Sequence, residues 1–258
     1  MSQPSGYDFK TPGGIPTDLN WVIKEGESRN GQLKTEENLS FDIIIKEVKN
    51  SNIFYKQYLR EQGVAMCKLR SNDYTIACFG MSQDNKYLLM EKVSCGNLQM
   101  YLKEQTDNSY YNMKKPYDLP KIMNFIHQII RGIKSVLEMM PPSLFYSLSA
   151  SNVLITSQEQ CKLTGFATLT AVNQREKWEE QHNLSRPIRR LSPEAIKLNH
   201  IKESYIWSFG VLLWEITSGG NYVLYDIMCS CWMFLPHKRL SVKEVESQLL
   251  ELTQYEVV

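Results

Sequence analysis

Phe145-Tyr146-Ser147-Leu148-Ser149-Ala150-Ser151-Asn152-Val153-Leu154-Ile155 is the stretch on which the reading of this chain turns. Taken alone, it is a loop that runs into a short strand. Upstream, Ile122, Phe125, Ile126, Ile129, Ile130, Ile133, Val136 and Leu137 form one apolar stripe at helical spacing. Asp118 is placed to cap that helix, with Pro120 in its first turn. Downstream, Val153 to Thr156 and Cys161 to Thr164 read as a short hairpin that leads into Gly165-Phe166-Ala167.

Towards the N-terminus the pattern changes. Phe41 to Val48 is β-branched and apolar enough for a buried strand, Trp21 to Lys24 suits an earlier strand, and Gly26 to Gly31 reads as a turn. From Tyr58 to Leu69, the residues Leu59, Ala65, Met66 and Leu69 share one helical face with Gln62, while Glu61 turns away from it. Strands are expected at Thr75 to Met81 and Lys86 to Glu91, then a short helix at Leu98 to Glu104. Residues 1–17, with four of the chain's glycines and prolines crowded near positions 12–16, read as a mobile tail. Beyond the loop, Val172 to Arg190 reads as irregular and charged, Ser204 to Thr217 as a very hydrophobic helix, and Ser241-x-x-Glu244 as the capping box of a last helix.

Lys and Arg total 29 against 28 for Asp and Glu, so no global field draws this chain to nucleic acid or an anionic membrane. The six cysteines show neither a CxxC pair nor zinc-ligand spacing, and read as reduced, packed thiols. No signal peptide is visible. The longest apolar run, Tyr205 to Ile216, is interrupted by Ser208 and Gly210 and falls short of the ~18 to 20 residues that a bilayer span requires. These features suit a cytoplasmic protein without a transmembrane segment.

The opening stretch resembles the catalytic loop of the protein kinases, H-R-D-L-x-x-x-N, with Leu148 and Asn152 at the family's spacing. Further stretches resemble family motifs in the right order. Gly26-x-Ser28-x-x-Gly31 resembles the Gly-rich loop and Ile43-Ile44-Ile45-Lys46 resembles V-A-I-K. Tyr87 to Leu98 is similar to a tyrosine-kinase hinge, and Pro187-Ile188-Arg189-Arg190-Leu191-Ser192-Pro193-Glu194-Ala195 to P-I-[RK]-W-M-A-P-E-A. Ser204 to Val211 resembles S-D-V-W-S-F-G-V, and Cys231-Trp232 with Pro236 and Arg239 resembles C-W-x-x-x-P-x-x-R-P.

The resemblance implies an α+β, bilobal fold, with a small β-rich N-lobe at 18–92 and a helical C-lobe at 93–258. The chain is shortened between Trp214 and Cys231, by about a helix and its loops relative to the family, and that shortening should leave apolar surface under-covered. Glu194 and Arg239 are implied to form a buried ion pair, and Met66, Phe166 and Phe145 to stack through the centre.

Phosphoryl transfer in this family rests on positioning and charge neutralisation. Lys46 and Asn152 match the phosphate-gripping and metal-holding positions, and Gly26, Gly31, Glu91 and Val93 complete the implied nucleotide site. The plainer account of Gly26 and Gly31 is a tight turn. Ser147 stands at the position of the proton-accepting Asp and Gly165 at that of the metal-holding Asp, so no catalytic residue is assigned. Loss of a positioned base alone is worth ~10² to 10⁴ in rate. Gln62, four residues before Met66, stands where the helix Glu that partners Lys46 belongs, and a neutral acceptor gives roughly half the strength of a charge-assisted bond.

The implied function is that of a tyrosine-kinase-like pseudokinase, a scaffold or allosteric module that binds ATP weakly and without magnesium. Its partners would be proteins, such as an active kinase or a signalling receptor. Two alternatives stay open: a tyrosine kinase of low activity that recruits Glu61 or another carboxylate, and a truncated form that competes for partners.

Overall fold

The computed structural model describes residues 9–10, 20–23, 30–34, 40–47, 53–69, 72–82, 87–107, 119–139, 144–146, 148–181, 190–197, 199, 201, 203–217 and 224–255. Strands dominate as far as Glu91. They are β1 (Phe9–Lys10), β2 (Asn20–Ile23), β3 (Asn30–Lys34), β4 (Ser40–Glu47), β5 (Cys78–Ser82) and β6 (Tyr87–Glu91), with the helix α1 (Ile53–Lys68) between β4 and β5. They form a six-stranded sheet in the order β1-β5-β6-β4-β3-β2, and every neighbouring pair is antiparallel. Phe9 and Lys10, within the stretch expected to be a mobile tail, pair with Ser82 and Met81.

Strand alternation places the site's first residue. Along β4, Ile43 and Ile45 are buried in a small cluster with Leu89, while Ile44 packs against the main core. Lys46 follows Ile44 at the strand's period of two and so shares its face. There it meets α1, whose Leu59, Gln62, Ala65, Met66 and Leu69 are buried. The helix starts at Ile53, earlier than the apolar stripe suggested. It also lies close to the sheet: a Cβ at Gly63 would stand 3.0 Å from Leu88 Cδ1 and 3.3 Å from Met81 Sδ.

From Leu98 onward helices dominate: α2 (Leu98–Asp107) and α3 (Leu119–Met139) come before the loop, whose ends are β7 (Leu144–Tyr146) and β8 (Val153–Ile155). Next come β9 (Cys161–Leu163), β10 (Phe166–Thr168), α4 (Leu169–Gln181), α5 (Pro193–Ile196), α6 (Ser204–Thr217), α7 (Tyr225–Cys231) and α8 (Val242–Tyr255). β8 pairs with β9 and β7 with β10, both antiparallel. Phe125, Ile126, Ile129, Ile130 and Ile133 of α3 are buried in one core cluster with Met66, Phe166, Phe209 and Leu249. That cluster joins α1 to the helical part. No helix among the described residues is long and apolar enough to cross a membrane.

Three expectations are corrected. The strand expected at Thr75 to Met81 begins only at Cys78. Thr75 and Ile76 are drawn to β9 instead: Ile76 N donates to Leu163 O at 3.1 Å, and Leu163 N donates to Tyr74 O at 2.7 Å. The segment expected to be irregular from Val172 holds the helix α4, which packs against α1 and β10. Its Gln, Arg, Glu and Lys are good helix formers, and Val172 is its buried anchor. The helix expected at Leu98 to Glu104 extends to Asp107. The last helix does begin as its capping box requires, with Ser241 N donating to Glu244 Oε2 at 2.7 Å and Glu244 N to Ser241 Oγ at 3.3 Å. Asp118 lies outside the described residues.

Candidate functional site

Lys46 and Gln62 meet as their spacing predicted. Lys46 Nζ donates to Gln62 Oε1 at 2.8 Å, and Gln62 is only 2% exposed. The α1 face is shared by Gln62 and Met66, so the packing that buries Met66 also aims Gln62 at the strand. Met66 and Phe166 are both buried in the central cluster; the Phe145 side chain, expected to stack with them, lies outside the described residues.

Asn152 ends a single 3₁₀ turn, Ala150–Asn152, and is tied to the next motif through its own backbone. Thr164 N donates to Asn152 O at 3.0 Å. Gly165 then takes φ +93°, a conformation that L side chains rarely adopt. A Cβ there would lie 2.9 Å from Asn152 Nδ2 and 3.1 Å from its Cγ. The Asn152 amide thus fills the space over the Gly165 α-carbon, where a carboxylate would have to begin. Ser147 and Gly26 lie outside the described residues.

The hinge is held by its own bonds. The Glu91 carboxylate pairs with Lys162 Nζ at 3.0 Å and accepts from Ala77 N at 3.2 Å, while Glu91 N donates to Ala77 O at 2.9 Å. Val93 is buried, and Cys95 N donates to Ile155 O at 3.1 Å as Ile155 N donates to Gly96 O at 2.9 Å. Gly31 lies within β3, between Ile23 and Ile43. The structure therefore brings Lys46 to Gln62 and Asn152 to Gly165, and it engages the Glu91 side chain in the fold.

A polar network beneath the loop was not anticipated. Ala150 N donates to Glu215 Oε2 at 3.4 Å, and Arg190 Nε donates to Glu215 Oε1 at 2.8 Å. Ser208 Oγ adds a bond to Arg190 O at 3.3 Å. The clue in the sequence was a pair of misplaced charges: Glu215 in a very apolar helix and Arg190 where the motif has Trp. Tyr205 is partly buried, and that burial together with the Glu203 charge pushes its phenol up to about 12.

Further along, Arg239 uses every donor of its guanidinium. Nη1 and Nη2 clamp Glu194 at 2.6 and 2.8 Å, and the remaining bonds go to Glu203 O, Met233 O and Phe234 O. Its carbon end lies over the Trp207 ring at 5.3 Å. Burial alone would push the Glu194 carboxyl up, but hydrogen bonds from Arg239, Ser192 and Ser204 hold it down at about 2.

The donor set does not suit a magnesium ion. A hard divalent cation prefers several oxygens with carboxylates among them, whereas the two described positions that match the family's metal ligands offer a neutral amide at Asn152 and no side chain at Gly165. Among the described residues no group of three His, Cys, Asp or Glu side chains is placed to hold a metal.

Residues 23–223 match the family model described as protein tyrosine and serine/threonine kinase. The chain is also similar to protein-tyrosine kinase 6 of Mus musculus, 26% identical over 247 residues that cover 83% of this chain and 52% of that protein. It spans about half the length of that curated relative.

Proposed function

The chain belongs to the protein tyrosine and serine/threonine kinase family, and on that premise we propose that it is a catalytically impaired member, a pseudokinase that acts as a signalling scaffold or allosteric module. The observation that carries this is the floor of the cleft. Gly165 has no carboxylate, and the Asn152 amide fills the place where one would begin. Without that charge a triphosphate–metal pair lacks its main anchor. Ser147 adds a second deficit, since a hydroxyl is not a base near neutral pH.

The retained pair supports the binding half of the proposal. Lys46 is held by Gln62 at 2.8 Å, so an ammonium stays in position for a phosphate. Nucleotide affinity would be weak and indifferent to magnesium, because Gly165 offers no carboxylate to bridge phosphate to metal. Regulation would then pass through surfaces, to protein partners such as an active kinase or a signalling receptor in the cytoplasm.

The test is a thermal-shift titration with ATP, with and without magnesium, beside incubation with labelled ATP and a tyrosine copolymer. We expect a small shift that is equal with and without metal and lost in Lys46→Met, and no incorporation of label. Incorporation that Lys46→Met abolishes would overturn the proposal in favour of a low-activity tyrosine kinase.

A further inference from the structure

We propose that Cys67 and Cys78 form a redox-responsive dithiol, which hydrogen peroxide closes into a disulfide that fastens the end of α1 to the start of β5. This goes beyond the pseudokinase proposal and does not depend on it.

The two sulfurs are already in contact. Cys67 Sγ donates to Cys78 Sγ at 3.4 Å, and Cys78 Sγ in turn donates to Gly80 O at 3.9 Å. A disulfide needs ~2.05 Å between sulfurs, a closure of little more than one ångström that side-chain rotation and slight backbone adjustment supply. The frame around the pair is firm. Gly63 permits α1 to lie against Leu88 and Met81, and the connection between the two cysteines is anchored to α3 through Asn72 Nδ2 and Ser135 Oγ at 2.9 Å. Within that connection Thr75 Oγ1 donates to Leu69 O at 3.0 Å. These contacts hold the sulfurs together.

Their burial differs in the useful sense. Cys78 is fully buried and Cys67 only partly so, which makes Cys67 the thiol that a small oxidant would reach first. Cys67 would lose its proton to solvent, and its thiolate would attack one peroxide oxygen. The O–O bond breaks, and hydroxide leaves to become water. The product is a sulfenic acid at Cys67. The Cys78 sulfur gives up its proton and attacks the Cys67 sulfur; the S–S bond forms, the S–O bond breaks, and a second water departs. The two thiols lose the two electrons that the peroxide gains. Because α1 carries Gln62, the bond would also fix the helix that holds Lys46.

The experiment uses the full chain, reduced, freed of reductant, treated with stoichiometric hydrogen peroxide, alkylated and mapped by mass spectrometry. The expected product is a Cys67–Cys78 linked peptide that dithiothreitol reverses, that persists in Cys95→Ser and that is lost in Cys67→Ser. The linked protein should also unfold several degrees above the reduced one. Since Cys78 is buried and its replacement risks misfolding, Cys67→Ser at the more open position carries the control. Recovery of Cys67 as sulfinic acid with Cys78 still alkylated, linkage through Cys95 instead, or a linked protein that unfolds at the reduced midpoint would each overturn the proposal.

Discussion

The clamp between Glu194 and Arg239 and the floor at Gly165 and Asn152 are built in opposite ways. At the clamp, each guanidinium donor is engaged and the Arg239 side chain is 1% exposed. At the floor, the position expected to carry a carboxylate is a glycine in a left-handed conformation, and a neighbouring amide has taken up the room. On the proposed pseudokinase reading, the difference separates holding the fold together from meeting a metal. Residues that tie helices to one another are kept because removal leaves a buried charge unpaired. A residue that only meets a metal would, on the same reading, be dispensable to the fold.

The sharpest way to break this contrast is Arg239→Ala, which strands Glu194 and should cost ~3 to 5 kcal/mol of stability by urea denaturation. A loss below one kcal/mol would place the clamp among the dispensable residues. Acid probes the same pair. The Glu194 carboxyl sits at about 2 in the folded chain against an ordinary 4.5. The unfolded chain therefore takes up a proton there before the folded chain does. The stabilisation is present above about pH 4.5 and is lost as pH falls through about 2. Urea midpoints taken across that window should fall for the native chain and lose this component in Glu194→Gln.

The smallest expected effect is at the floor. Gly165→Asp must adopt φ +93° and displace Asn152, so it should destabilise by ~1 to 3 kcal/mol. It should bring no magnesium-dependent thermal shift, because the new side chain displaces the Asn152 amide that would share the metal. A clear metal-dependent shift in that variant would show that the floor is one substitution from function, and would narrow the contrast with the clamp.

Much of this was readable before folding. The stripe from Ile122 to Leu137 and the alternation in Ile43 to Lys46 are local periods, and each element follows directly from its own residues. The opposition of Lys46 and Gln62 was also readable, through the resemblance whose spacing puts Gln62 where the helix Glu belongs. The helix at Leu169–Gln181 was not, because its apolar content is low and its support comes from α1 and β10. Thr75 and Ile76 looked like strand residues, and the competing partner that removed them, Leu163, is far away in the chain.

The loop from Phe145 to Ile155 shows the division. Residue types alone set its place in the chain, the absence of a carboxylate at Ser147 and Gly165, and the family it resembles, because each is a matter of identity and order. The folded chain decided that Asn152 would cover Gly165, that Ala150 would bind Glu215 and that Arg190 would complete that network. Those contacts join residues distant in sequence, at separations of a few ångströms that only the packing of α6 against the loop determines.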